Sequence, residues 1–280
     1  MEFNSPTEQL FFTTVRIETT TAQGIGTGTG FGLLYEHQPN QQFPFIVTNK
    51  HVIRGAASGR FFFTLEKANT PLIGQRIDIN FDNFESLWHG HPDPETDVAV
   101  MPYLPVLTQL NAGGHSVFFK PFHHKMIPGS DQLTDLDALE EIIFVGYPNG
   151  IFDSKNLLPI LRRGTTASPP QIDYEGKPIF LVDASVFPGS SGSPVLICNH
   201  GGFATKKGFS VGTRVMLLGV ISSVLVQREN NLLEFVTIPT ATTVPLVRTS
   251  QMIDLGVVFK GSTIIETIQD FLRKHGVQVV

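Results

Sequence analysis

Ser190, Ser191 and Ser193 crowd one short turn, "VFPGSSGSPV", at residues 186–195. Serine, glycine and proline all suit the dihedrals of a chain reversal, so serines there need no function of their own. Two other residues change the reading. His51 stands at the exit of the β-branched run "FPFIVTNKHVI", and Asp97 leads into the apolar run "TDVAV". A hydroxyl becomes a nucleophile when a base takes its proton, and the base in turn needs an acid to fix its tautomer and stabilise the imidazolium. Singly, each residue has a plain use: a histidine ending a strand, an Asp opening one, a serine turn. Together, in the order His, Asp, Ser and each beside an apolar strand, they point to nucleophilic acyl transfer.

Such residues need a scaffold, and the composition says which kind. The chain has 280 residues, enough for one large or two medium domains. Apolar residues make up 41% and charged residues 16%, with 26 Gly and 19 Pro. Low charge and many turn residues favour short strands over long solvent-exposed helices. A formal charge of −5 with no basic cluster argues against nucleic acid as a partner. Cys198 is the sole cysteine, which rules out an intrachain disulfide. No apolar stretch approaches the roughly 20 residues that span a bilayer, and the amino terminus lacks the pattern of a signal peptide. These features predict a cytoplasmic protein with no membrane partner.

Along the chain, "LFFTTVRIET" reads as a strand, followed by "GIGTGTGFGLLYE". No Lys follows this glycine run and no helical pattern opens after it, so it predicts a strand corner where backbones approach closely rather than a phosphate loop. "GQRIDINFD" and "TDVAVMPY" are further strands, and residues 104–141 read as a connection with a helical turn near 136–141. Then come "IIFVGYP", "LLPILRRGTTAS", "IFLVDASV", "SPVLI", "VMLLGVISSVLVQ" and "LLEFVTIP", a succession of short strands that suits a sandwich or barrel in each half. Near the end, "TIIETIQDFLRKHG" places Ile264, Ile265, Ile268, Phe271 and Leu272 at helical spacing. Thr263 and Glu266 have the spacing of a capping box, and Gly276 follows a basic last turn.

The three motifs resemble those of chymotrypsin-fold serine peptidases, and most closely the HtrA-like (Deg) branch of trypsin-like peptidase domains. "VDASVFPGSSGSPV" is similar to that branch's "T-D-A-x-I-N-P-G-N-S-G-G-P", and "IVTNKHVI" to its "I-V-T-N-x-H-V". "GTGFG", "FVGYPNG" and "LLGVISS" match its strand order, so the resemblance covers residues 10–247. It implies an all-β fold of two six-stranded antiparallel barrels with an added C-terminal α-helix. Residues 1–110 would form the N-terminal barrel with His51 and Asp97, and 111–140 the connection. Residues 141–247 would form the C-terminal barrel with Ser191, and 248–280 a strand and helix extension. The branch commonly carries a carboxyl-terminal PDZ domain, and none is expected here.

Carried over residue by residue, the resemblance makes Ser191 the nucleophile, His51 general base and then acid, and Asp97 its orienter. The backbone N–H groups of Gly189 and Ser191 would form the oxyanion hole. Ser193 replaces the branch's second glycine and is expected to alter the turn and narrow the cleft. The carboxylate that pairs with a new amino terminus in zymogens of this fold is replaced by the neutral Ser190, so no proteolytic maturation is expected. The primary pocket falls on Ser185, Val186, Ser222, Ser223 and Val224. With Ser185 where basic-specific enzymes have Asp, cleavage after small or medium apolar residues is expected. Glu234, on the returning strand, is the acid that would alter this if it reached the pocket.

Expected partners are a protein or peptide substrate, with a regulatory protein or a homo-oligomer left open. No cofactor is expected. His89 and His91, or His123 and His124, lack a Cys or acid at convincing ligand spacing and read as loop histidines, so no metal site is assigned. Cys198 reads as a small core residue. The alternative from another class is a catalytically silent peptide-binding or scaffold protein on the same fold. It would be favoured by a missing member of the His, Asp and Ser set, and all are present. An esterase elbow would need strand–turn–helix context, which the sequence lacks.

Overall fold

The protein is described here from a computed structural model covering residue 3 and residues 5–39, 41–206, 208–232 and 246–278. A single turn, α1 (Pro6–Gln9), precedes strands β1 (Thr14–Thr21), β2 (Gly24–Gln38) and β3 (Gln41–Thr48). The short helix α2 (Lys50–Ile53) follows, then β4 (Ser58–Lys67), β5 (Thr70–Asp82), β6 (His89–Gly90) and β7 (Ala99–Pro102). The connection holds α3 (Leu104–Ala112), β8 (Phe122–His123) and α4 (Ser130–Thr134). The second half contains β9 (Glu141–Gly146), β10 (Ile160–Thr166), β11 (Ile179–Asp183) and β12 (Pro194–Asn199). A small hairpin, β13 (Phe203–Thr205) with β14 (Gly208–Ser210), leads to β15 (Arg214–Leu232), β16 (Leu246–Lys260) and the helix α5 (Gly261–Lys274).

The expectation of two six-stranded barrels is met in one half only. β10-β11-β16-β15-β12-β9 form a closed barrel, whereas the N-terminal strands run β5-β4-β1-β2-β3-β7-β6 without closing, with β8 added beside β2. One edge of that sheet ends in the two-residue β6, too short to carry a ladder onward. Instead of a closing ladder, apolar side chains fill the concave face. Val15, Ile17, Ile46, Phe61, Phe63 and Phe84 are all buried there, and Phe61 meets Phe81, Phe84 and Trp88 ring against ring.

The C-terminal boundary also moves. β16 is the sixth strand of the closed barrel and runs to Lys260, so the barrel does not end at residue 247. In the connection, the helices lie at 104–112 and 130–134, not at 136–141. Pro105 suits the first turn of a helix, and Val106 and Leu110, four apart, face the core. Cys198 is half-buried at the end of β12, with Sγ 3.4 Å from His200 Nε2, rather than a core residue.

α5 joins the halves. Ile264, Ile268 and Leu272 are buried in one cluster with Phe45 and Val100 from the first half and Leu196, Leu217 and Val220 from the second. The helix starts earlier than a capping box at Thr263 would allow. Thr263 lies inside it, wholly buried, and its hydroxyl donates back to the Lys260 carbonyl at 2.7 Å. Its C-terminus is as expected: Gly276 has φ 80°, and Val277 N–H closes on Leu272 O at 2.9 Å. The polar face of α5 holds two of the loop histidines, with His89 Nε2 2.8 Å from Asp270 and His91 Nε2 3.1 Å from Glu266. His123 faces Glu36 at 3.7 Å. Among the described residues, no helix is long and apolar enough to cross a membrane.

Candidate active site

His51 lies in the single turn of α2, just after β3. The strand ends at Thr48, and buried Asn49 caps α2 while its side-chain amide donates to the Asp97 carbonyl at 2.7 Å. The loop before β7 is tied at its start by Asp93, whose carboxylate accepts from Glu95 N–H and the Thr96 hydroxyl. Asp97 at its end reaches His51 twice. Oδ2 lies 2.6 Å from His51 Nδ1, and Oδ1 accepts the His51 backbone N–H at 3.0 Å. The Ser222 hydroxyl donates to the same Oδ2 at 2.6 Å. Burial by itself would raise the Asp97 pKa, but the hydrogen bonds from His51 and Ser222 and the adjacent imidazole outweigh it and hold the carboxyl below its usual range. With Asp97 ionised, Nδ1 of a neutral His51 carries the proton and Nε2 is left as the basic nitrogen.

The serine turn is shaped by its glycines. Gly189 and Gly192 have φ of 85° and 87°, the left-handed region that favours glycine. A Cβ on Gly192 would run into the carbonyl of Thr29, and one on Gly189 into the carbonyl of Tyr147. The close approach predicted for the glycine-rich stretch is therefore real, and Thr29 within it is the hub. Its N–H donates to Ser191 O at 2.9 Å, its hydroxyl to Gly189 O at 2.9 Å, and it accepts the Tyr147 N–H at 3.2 Å. Neighbouring carbonyls are drawn away from the cleft. Gly189 O turns to Thr29, and Pro188 O accepts the N–H of Asn149 at 2.5 Å. Among the described residues no acceptor is recorded for the N–H groups of Gly189 or Ser191.

His51, Gly189 and Ser191 line one open cleft with Val52, Arg54, Pro188 and the β1–β2 hairpin tip around Ile25. Within it the Ser191 hydroxyl donates to the Ser222 carbonyl at 3.0 Å, and no bond from it to His51 is recorded. Ser222 thus touches both the acid and the hydroxyl. The other residues assigned to substrate are spread out. Ser185 and Ser223 are exposed, Val224 is half-buried, and Val186 packs inside the barrel core. Ser193 is wholly buried, in a position where a Cβ added to Gly146 would strike its hydroxyl, so it does not narrow the cleft. Sequence reading missed Thr29, Asn149 and Arg162, whose guanidinium bonds Ser185 and Ser190 from behind the turn. "GTGTG" and "YPNG" were visible as motifs, but nothing local said that they meet the serine turn.

The family model described as trypsin-like peptidase domain matches residues 28–203. This chain belongs to that family, a class of serine-protease hydrolases. Among solved structures, the HtrA-type protease AlgW with tripeptide is similar at 14% identity and TM-score 0.50, over 95% of this chain and 62% of that one. The Rv3671c protease of M. tuberculosis, in an inactive form, is matched over 99% of this chain and 95% of that one at 15% identity and TM-score 0.46. The serine endoprotease of Yersinia pestis is matched at 14% identity and TM-score 0.48, over 98% of this chain and 69% of that one. At these identities the likeness is one of fold: a β-rich chymotrypsin-like architecture of antiparallel sheets, here with a C-terminal helix. A search of curated protein sequences finds no match.

Proposed function

We propose that the protein is a serine endopeptidase working through an acyl-enzyme. Ser191 attacks the scissile carbonyl while His51 Nε2 takes its proton. Asp97 holds the Nδ1 tautomer and stabilises the imidazolium, and the N–H groups of Gly189 and Ser191 receive the oxyanion. His51 then protonates the leaving amine, and water attacks the acyl-enzyme by the same route in reverse. The observation that carries this reading is the His51–Asp97 pair at 2.6 Å opening onto the cleft that also holds Ser191 and the unbonded Gly189 N–H. For the first step the Ser191 hydroxyl leaves the Ser222 carbonyl and turns to His51. The test is reaction of the purified protein with a fluorophosphonate probe and mapping of the label by mass spectrometry. A label on Ser191 supports the reading, and a protein that takes none at neutral pH refutes it.

Two expected outcomes accompany it. The first is that the rate should be unchanged by a chelator. Loss of activity on chelation, restored by a divalent ion, would count against this chemistry.

The second concerns specificity. Ser185 brings no carboxylate to the pocket, and its carbonyl already accepts from the Arg162 guanidinium at 2.8 Å. A substrate cation entering there would meet a like charge and lose solvation with nothing to offset it. Cleavage after Val, Ala or Leu is therefore expected to exceed cleavage after Lys or Arg by about 100-fold in kcat/KM, or about 3 kcal/mol. A positional-scanning peptide library measures this, and dominant cleavage after basic residues would overturn the apolar pocket. Glu234 lies outside the described residues.

A further inference from the structure

Arg162 is a half-buried cation behind the serine turn that the mechanism does not use. It stands on β10 opposite Phe144 of β9, with its guanidinium carbon 4.3 Å over the Phe144 ring. One Nη donates to the Ser185 carbonyl at 2.8 Å and the other to the Ser190 hydroxyl oxygen at 2.8 Å. Nε is buried with no partner, and among the described residues no carboxylate pairs with the group. Burial with nothing to offset it pushes its pKa down to about 10. A buried cation that gives up its counter-ion is costly unless what it holds repays it.

What it holds is the turn that carries Ser191. Ser185 and Ser190 bracket the approach to the nucleophile, and a planar guanidinium bridging them fixes their separation and orientation in a way that one flexible ammonium does not. Ser190 is wholly buried, and its oxygen also accepts the Phe187 N–H at 3.3 Å. Its backbone closes the turn on both sides, Ser190 N–H to Phe187 O at 3.0 Å and Ser193 N–H to Ser190 O at 2.9 Å. The peptide unit that presents the Ser191 N–H is the one that Ser190 anchors.

Resting on the peptidase reading, we infer that Arg162 is a positioning residue: from β10 it clamps Ser185 and Ser190 and so sets the oxyanion donors at Gly189 and Ser191. It takes the place of a charged pair made at a cleaved amino terminus, using a cation supplied from within the chain.

The test uses the full-length protein and its R162Q, R162K, S190A and R162Q/S190A variants. It compares kcat and KM on one neutral peptide and the rate of fluorophosphonate labelling, at a temperature where circular dichroism shows each variant folded. R162Q is expected to lower kcat and labelling together by at least about 10-fold with KM little changed, since small misplacements of reacting groups are costly. R162K should recover part of the rate. S190A should lose less than R162Q, and the double variant should be no worse than R162Q alone. If R162Q does not fold, R162K and S190A decide: both at the wild-type kcat would overturn the inference. It is also overturned by R162Q within twofold of wild type, by additive losses in the double variant, or by a rise in KM confined to acidic peptides, which would make Arg162 a substrate contact. A wild type that takes no label refutes the peptidase reading and this inference with it; a labelled wild type with an unaffected R162Q refutes this inference alone.

Discussion

Ser191→Ala is expected to lower kcat by about a millionfold and to abolish fluorophosphonate labelling, the size of loss seen when the nucleophile of such a set is removed. Ser190→Ala and Ser193→Ala should keep measurable activity and label. The difference lies in where the three hydroxyls point. Ser191 faces the cleft with His51, whereas Ser190 and Ser193 are wholly buried, the first held by Arg162 and the second against Gly146. Neither can reach a substrate without unmaking the turn. Peptide mapping of the labelled protein is the check, and a label on Ser190 would move the nucleophile one residue. Ser191→Ala should leave the unfolding temperature nearly unchanged, because its hydroxyl makes a single hydrogen bond, to the Ser222 carbonyl.

Asp97→Asn should cost about 10⁴-fold in kcat near neutral pH. The amide can present its NH₂ to His51 Nδ1, which stabilises the tautomer with its proton on Nε2 and leaves no base facing Ser191. The same substitution probes stability, with a defined sign. Asp97 is held below its usual pKa in the folded protein, so it contributes stability that is present above the ordinary carboxylate range. That contribution is lost as pH falls through the lowered folded value, where the carboxyl protonates. Wild type should therefore be more stable than the Asn variant at neutral pH, with the gap narrowing as the solution is acidified. Denaturant unfolding of both proteins across that range measures it, and a gap that widens toward acid would contradict the assignment.

Much of the site was legible because its parts are local motifs. "TNKHVI", "ETDVAV" and "GSSGSP" each set one side chain at the end of an apolar strand, and strand ends are where a rigid scaffold exposes chemistry. The glycine-rich stretch is a place of close approach, where Val52 packs on Gly28, Ile46 and Ile17 on Gly30 and Phe119 on Gly32, but it lies within the continuous strand β2 rather than at a corner. The 3.6-residue spacing of Ile264, Ile268, Phe271 and Leu272 marked α5. Its first turn was misplaced because Thr263 and Glu266 fit a cap in spacing alone. Thr263 turns into the core, and Glu266 turns outward to His91.

By itself, then, the sequence determined the residue types, their order along the chain and the apolar strands beside which they sit, but not the short helix α2 that carries His51, because strand patterns a few residues long are local. Only the tertiary structure decided what depends on pairs far apart in the chain. The N-terminal sheet runs from β5 to the two-residue β6 without closing, and Phe61 and Phe84 pack ring to ring in its core. The carbonyls of Pro188 and Gly189 are bound by Asn149, from the turn after β9, and by Thr29, from β2. Arg162 meets Ser190 across 28 residues, and Ser222 meets Asp97 across 125. Such contacts form only when the closed barrel and the open sheet bring distant segments within hydrogen-bond distance, and no local pattern encodes that distance.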